Sequence, residues 1–155
     1  MANVKPIPEG YHSVTPYLSI KGAAAAIDYY KQVFGATELF RMAGPDGKIG
    51  HAEIKIGNSP IMLADEFPEM EFVSPKTLGG SPVGLMIYVD DVDTMYKQAI
   101  NAGGQEIKPL QNQFYGDRSG TLKDPFGHVW TVATHIEDVP PEEMEQRAKA
   151  AHGGS

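Results

Sequence analysis

Residues Tyr115–His135 read YGDRSGTLKDPFGHVWTVATH, and this stretch decides the fold. Two β-like runs, Arg118–Leu122 and His128–Ala133, flank the sequence Asp124-Pro125-Phe126-Gly127. Proline presets φ at one turn position and glycine tolerates the positive φ of a tight reversal, so the spacing predicts a hairpin. In the second run Trp130 and Val132 share one face, and Val129, Thr131 and Ala133 share the other. Alternation of this kind gives one face to a core and leaves the other free for different work.

Working outward, the same pattern occurs twice. Val14–Ile20 predicts a strand that Pro16 confines to an edge, because proline withholds a ladder donor. In Gly22–Phe34 the period changes: Ala23, Ala26, Ile27, Tyr30, Val33 and Phe34 recur at three- and four-residue spacing, with Gly35 placed as a C-cap. Strand-like runs follow at Thr37–Met42, Ile49–Ile56 and Ser59–Ala64, separated by the reversal signals Gly44-Pro45-Asp46-Gly47 and Gly57-Asn58. In the second half the order returns as a strand at Val83–Val89 and a helix at Val92–Ala102 with Asp90 or Asp91 as N-cap. Strands at Glu106–Leu110, Arg118–Leu122 and His128–Ala133 complete it.

Local echoes support the repeat: Tyr30-Lys31-Gln32 against Tyr96-Lys97-Gln98, and Gly35-Ala36-Thr37-Glu38-Leu39 against Gly103-Gly104-Gln105-Glu106-Ile107. The expected fold is therefore α+β, two βαβββ modules, since one such unit alone leaves a sheet face uncovered. The expected boundaries are an N-terminal arm at 1–13, a first module at 14–65, an acidic, proline-containing linker at 66–82 and a second module at 83–135. A C-terminal helix and tail occupy 136–155, with HGGS disordered. The apolar middle of the linker (Phe67, Met70, Phe72) is placed to cover a site.

Composition narrows the function. The chain has 155 residues, is 41% apolar and 21% charged, and carries a net charge of −7 with its 13 Lys and Arg scattered. Nucleic acid and anionic membrane both require basic surface, so neither is expected as a partner. No cysteine is present, which removes disulfides, thiolate metal sites and cysteine nucleophiles. The N-terminal MANVKPIPEGYHS lacks an apolar core of signal-peptide length, and Val83–Val89 is too short to cross a bilayer, so a cytoplasmic protein is the expectation. There is no GxSxG, P-loop or dinucleotide fingerprint.

The motifs PYLSI with AIDYYKQVFGA (Pro16–Ala36), IMLAD (Ile61–Asp65), GLMIYVDDVD (Gly84–Asp93) and LKDPFGHVWTVATH (Leu122–His135) resemble the vicinal oxygen chelate superfamily. This is the glyoxalase I, bleomycin-resistance and extradiol-dioxygenase fold, and the version here is most like its PhnB-like group. The resemblance covers about Thr15 to His135. It implies paired βαβββ modules forming a cup-shaped mixed β-sheet with flanking helices, around a cleft for a small molecule, in a homodimer. It also implies four metal ligands at matched positions of the two halves, which fall here at Thr15, Met62, Gly84 and Thr131. Those residue types supply none of the carboxylate, imidazole or thiolate donors a divalent ion wants.

Two functions are weighed. The favoured one is a glyoxalase/bleomycin-resistance-like protein that binds a small organic ligand without the usual metal and needs no cofactor. Tyr17, Met62, Met86 and Tyr88 share parity with the vacated ligand positions and suit a flat ligand, with Thr131 beside them. Tyr115 precedes a bend, and Arg118 after it could hold an anionic group, unless it pairs with Asp117 or Asp124. The alternative is a lyase, isomerase or epimerase. There Glu53 is the base, His51 or Arg118 stabilises an oxyanion, and a divalent metal enters only at a shifted site made by His51, Glu53 and Glu66 or His135. Lactoylglutathione lyase proper is disfavoured, because that chemistry depends on the metal. His128 is read as structural and Trp130 as core.

Overall fold

A computed structural model describes residues 3–153 and divides the chain into two units, Met1–Ser81 and Pro82–Ser155. The ends of the expected arm (Met1 and Ala2) and of the HGGS tail (Gly154 and Ser155) lie outside the described residues. The fold is α+β, with one βαβββ module in each unit.

In the first unit β1 (Tyr17–Ile20) leads into α1 (Ala23–Phe34), then β2 (Thr37–Ala43), β3 (Ile49–Ile56) and β4 (Ser59–Asp65). The sheet order is β1-β4-β3-β2, with β1 parallel to β4 and the other pairs antiparallel. Leu18, Ile20, Ala52, Ile54, Ile56, Ile61 and Leu63 are buried on one face, with Ala23, Ala26, Ile27, Tyr30, Val33 and Phe34 buried along α1. Each buried Ile, Leu or Phe contributes roughly 1.5–3 kcal/mol through apolar surface removed from water.

The strand begins at Tyr17, later than the expected Val14, so Thr15 precedes it. Pro16 donates nothing, but its carbonyl still accepts the Met62 amide at 2.9 Å, and β1 lies at the sheet edge. The helix start has no cap of its own, since Gly22 has φ 97° and no side chain. Asp65 supplies one from the end of β4: Oδ1 accepts the Gly22 and Ala23 amides at 3.0 Å each, and Oδ2 accepts the Ile49 amide at 2.7 Å.

The stretch expected as a linker is folded onto this unit. Phe67 and Phe72 form an isolated β-bridge around a 3₁₀ turn at Pro68–Met70, and a single helical turn, α2 (Pro75–Leu78), follows. Glu66 anchors it by accepting from the Ser74 amide and the Thr77 hydroxyl, both at 2.9 Å. The Ser74 amide is the main reason its carboxyl sits below the usual range.

In the second unit β5 (Gly84–Tyr88), α3 (Val92–Asn101), β6 (Gln105–Asn112), β7 (Asp117–Lys123) and β8 (Val129–His135) give the order β5-β8-β7-β6, and α4 (Pro141–His152) follows. Thus His152 of the expected tail is helical. Asp91 is the N-cap of α3, accepting from the Thr94 amide at 3.2 Å. Pro109 lies in the edge strand β6, where the register is irregular.

The DPFG turn is held by Asp124, which is 3% exposed. Its Oδ1 accepts the Phe126 and His128 amides and its Oδ2 accepts the Trp130 indole N–H at 2.8 Å. Gly127 takes the positive φ (96°) expected of it. Trp130 is fully buried with Leu122 and Val132, and His128 is buried before the first residue of β8. Among the described residues no helix is long and apolar enough to cross a membrane.

Candidate functional site

Strand alternation leaves one sheet face of each unit free of its helix, and register aligns residues across that face. In the first unit Tyr17 pairs with Met62, Met62 with Glu53 and Glu53 with Phe40, one row across four strands. In the second, Met86 pairs with Thr131, Thr131 with Thr121 and Thr121 with Lys108. The β1–β4 and β5–β8 pairs are related by the same shift of 69 positions (86 − 17 and 131 − 62).

His51 and Glu53 meet as the two-residue spacing on β3 implies, and they belong to a longer chain of bonds. His51 Nε2 lies 2.9 Å from Glu53 Oε2, and His51 Nδ1 lies 2.6 Å from the Tyr17 hydroxyl. The Tyr11 hydroxyl donates to Glu53 Oε1. A carboxylate only accepts, so His51 presents Nε2–H to Glu53 while its Nδ1 side bonds the Tyr17 hydroxyl. Glu53 therefore has both oxygens engaged, and Tyr17 is held in place by the relay. Tyr11 belongs to the arm, where no periodicity gave it a role. Only the folded chain brings it to Glu53, 42 residues away.

Tyr17 also borders a cavity of about 670 Å³, lined by Ile49, Ala64, Phe67, Met70 and Phe72 and, at its polar end, Lys48, Asp65 and Glu66. The Tyr17 and Phe72 rings meet edge-to-face with centroids 5.5 Å apart. Tyr17 is 46% exposed, Phe67 53% and Met70 73%.

In the second unit Met86, Tyr115 and Thr131 line a separate cavity of about 410 Å³ with Lys108, Gln111, Gln113, Ser119 and Thr121. The Thr121 and Thr131 hydroxyls are 2.9 Å apart. Tyr88 lies outside this lining and donates to Asp117 Oδ2 at 2.9 Å, a bond that raises its phenol above the usual value. Asp117 Oδ1 lies 2.8 Å from His135 Nδ1, and His135 Nε2 lies 2.7 Å from Asp138. These carboxylates, Asp117 first, raise the His135 imidazole.

Arg118 is placed differently from the expectation. Alternation along β7 turns it to the opposite face from Ser119 and Thr121, beside the first turn of α3. Its guanidinium grips Asp93 through Nε (3.0 Å) and Nη2 (2.7 Å), and Nη1 donates to Asn112. The partner is Asp93 and neither Asp117 nor Asp124, because the N-terminus of α3 packs over this end of β7. Asp93 is held below the usual carboxylate range by that contact.

The shifted metal site is not assembled. Among the described residues no three His, Cys, Asp or Glu side chains are grouped to hold an ion, and Glu66 is committed to Ser74 and Thr77. The four positions implied by the family resemblance remain two hydroxyls, a thioether and a glycine, with the Thr131 hydroxyl bonded to Thr121. That donor set does not fit a divalent ion.

Residues 12–132 match the family model described as Glyoxalase/Bleomycin resistance protein/Dioxygenase superfamily, and the chain belongs to that superfamily. An uncharacterised protein of Mycobacterium bovis is 40% identical over 144 residues, covering 91% of this chain and 94% of its own. Protein PA1353 from Pseudomonas aeruginosa superposes with a TM-score of 0.66 at 24% identity, over 81% of this chain and 99% of its own. The PhnB protein from Bacillus cereus gives 0.64 at 17% identity, over 79% and 99%. At these identities the solved structures speak for the fold alone.

Proposed function

We propose that this chain is a small-molecule-binding protein of the glyoxalase/bleomycin-resistance type. Its first unit takes the apolar body of an organic ligand against Tyr17, Phe67, Met70 and Phe72. The observation that carries this reading is the cavity of about 670 Å³ bordered by Tyr17, Phe67 and Met70, each about half exposed or more, and by half-buried Phe72. A ligand there covers apolar surface worth roughly 25 cal/mol per Å², and methionine adapts to its outline. The relay from Tyr11 through Glu53 and His51 fixes the Tyr17 ring, so its face is preorganised for stacking.

In this proposal His51 and Glu53 are positioning residues, and binding does not depend on a metal at the four family positions. Both oxygens of Glu53 already accept from side chains of this chain, Tyr11 and His51, and this positioning role sets the lyase or isomerase reading second. Met62 shares the sheet row with Tyr17 and Glu53 and belongs to the same face. Two copies of the chain would associate through edge strand β2, where Leu39, Phe40 and Met42 are about half exposed.

The test is a titration with planar aromatic compounds, followed by methyl resonances of Ile49, Ala64 and Met70. Binders should move these signals, and Phe72→Ala should weaken them by about tenfold or more. Unmoved signals, or an unchanged affinity in Phe72→Ala, would remove the proposal. Turnover of a bound carbonyl compound that is abolished by Glu53→Gln would instead support the enzyme.

A further inference from the structure

We infer that the second unit carries an oxyanion site anchored on Lys108, suited to a small organic acid. It is separate from the aromatic cavity of the first unit and does not rest on it.

The chain has 20 acidic residues, yet among the described residues none lines the cavity of about 410 Å³, where Lys108 is the charged side chain. Among the described residues Lys108, like Lys21 and Lys48, makes no ion pair; Lys21 and Lys48 border cavities that also hold Asp65 and Glu66, whereas the lining around Lys108 has no acid. A cation on a concave surface free of acids presents a locally positive potential to an anion despite the net charge of −7.

Geometry supplies the rest. Lys108 lies in direct register with Thr121, and Thr121 with Thr131 and Met86, so the ammonium, two hydroxyls and a thioether share one face. The two threonine hydroxyls are 2.9 Å apart and one proton lies between them, so the second hydroxyl proton remains to donate. Gln111 and Gln113 border the same space and add amide donors. The strand carrying Lys108 is irregular between Lys108 and Gln111, around Pro109, which has no N–H; a break of this kind re-aims side chains out of the regular ladder. A carboxylate or phosphate group accepts from an ammonium and a hydroxyl together, and the volume suits a compact molecule. Met86 and Tyr115 offer apolar contact for its body.

The experiment titrates the full chain with benzoate, phenyl phosphate, benzamide and benzylamine, observing the amides of Ser119, Thr121 and Thr131 by NMR. At least one of the two acids should bind about tenfold more tightly than benzamide, and benzylamine should not bind. Whether benzoate or phenyl phosphate is preferred identifies the head group. Lys108→Gln, at an exposed position that spares the core, should reduce the acid to the benzamide level, and Thr131→Val should weaken it less. The proposal is overturned if neither acid moves these amides, if benzamide binds as tightly, or if Lys108→Gln leaves the affinity of the acid unchanged. Signals from Ile49 and Met70 report the first unit separately.

Discussion

Asp65, the last residue of β4, accepts the Ala23 amide at 3.0 Å and so ties the end of the first sheet to the start of its helix. The second unit repeats the relationship with different chemistry. Thr134 Oγ1 accepts the Val92 amide at 3.1 Å while donating to the Val89 carbonyl at 2.7 Å. Both partners are displaced by 69 positions (134 − 65 and 92 − 23), the shift that relates the two sheets. The repeat thus preserves a contact that neither half shows in its motifs, because a carboxylate and a hydroxyl can each accept a helix N-terminal amide.

Asp65→Ala should cost the protein about 2–3 kcal/mol, since three backbone amides lose their acceptor. Thr134→Val, which strands one amide, should cost about 1 kcal/mol. Urea unfolding of both variants gives the comparison, and equal losses would contradict the assignment.

Asp124→Ala should be among the more damaging single changes outside the apolar core. It removes the acceptor for two turn amides and for the buried Trp130 indole, with an expected loss of about 3 kcal/mol. Trp130 is the chain's single tryptophan, so its fluorescence reports the change directly. An unshifted spectrum and an unchanged urea midpoint would show that the turn does not need this carboxylate.

His135 makes stability depend on pH in a defined direction. Its folded pKa is raised by Asp117 and Asp138 above the unfolded value of about 6.5. The protonated ring is thus favoured in the folded state, and its contribution is complete below the unfolded pKa and lost as pH rises through the folded pKa. The gap in urea midpoint between wild type and His135→Gln should be widest below about pH 6 and close at alkaline pH. A gap that widens with pH would reverse the sign and exclude the two-carboxylate arrangement.

Gly116→Ala should unfold the β7 end of the second unit. The residue has φ 101°, and an added Cβ would lie 2.1 Å from the Glu137 carbonyl oxygen, which backbone movement alone could relieve. Loss of amide exchange protection at Ile136 and Glu137, whose N–H groups bond the Gly116 carbonyl, is the expected signature. Retained protection would show that the loop accommodates a side chain.

Tyr17→Phe tests the relay without removing the ring. It deletes the hydroxyl bonded to His51 and should lower affinity for an aromatic probe by a few-fold through lost preorganisation, less than Phe72→Ala. A larger effect than Phe72→Ala would mean that the hydroxyl itself contacts the ligand.

Periodicity made the modules legible from residues alone. The three- and four-residue recurrence from Ala23 to Phe34 gives α1, the alternation in Ile49–Ile56 gives β3 with its stated bounds, and Gly35 takes the left-handed conformation expected of a C-cap. The same alternation put His51 and Glu53 on one face, where they bond. Boundaries slipped at Val14 and at the ends of β6. There a proline disturbs the ladder, and pairing with a neighbouring strand, which has no local signature, decides the length.

Side-chain partners were decided only by tertiary structure. Parity states which face a residue occupies and says nothing of what packs against that face. Arg118 therefore found Asp93 of α3, Tyr11 of the arm found Glu53, and the Phe67–Phe72 segment found Tyr17. The hairpin at Tyr115–His135 is legible through turn chemistry and alternation, and the internal repeat makes it the closing hairpin of the second module. Its Lys108 neighbour acquires meaning only when β6 is laid beside β7 in register, because an unpaired cation is a property of the surrounding space and not of the strand that carries it.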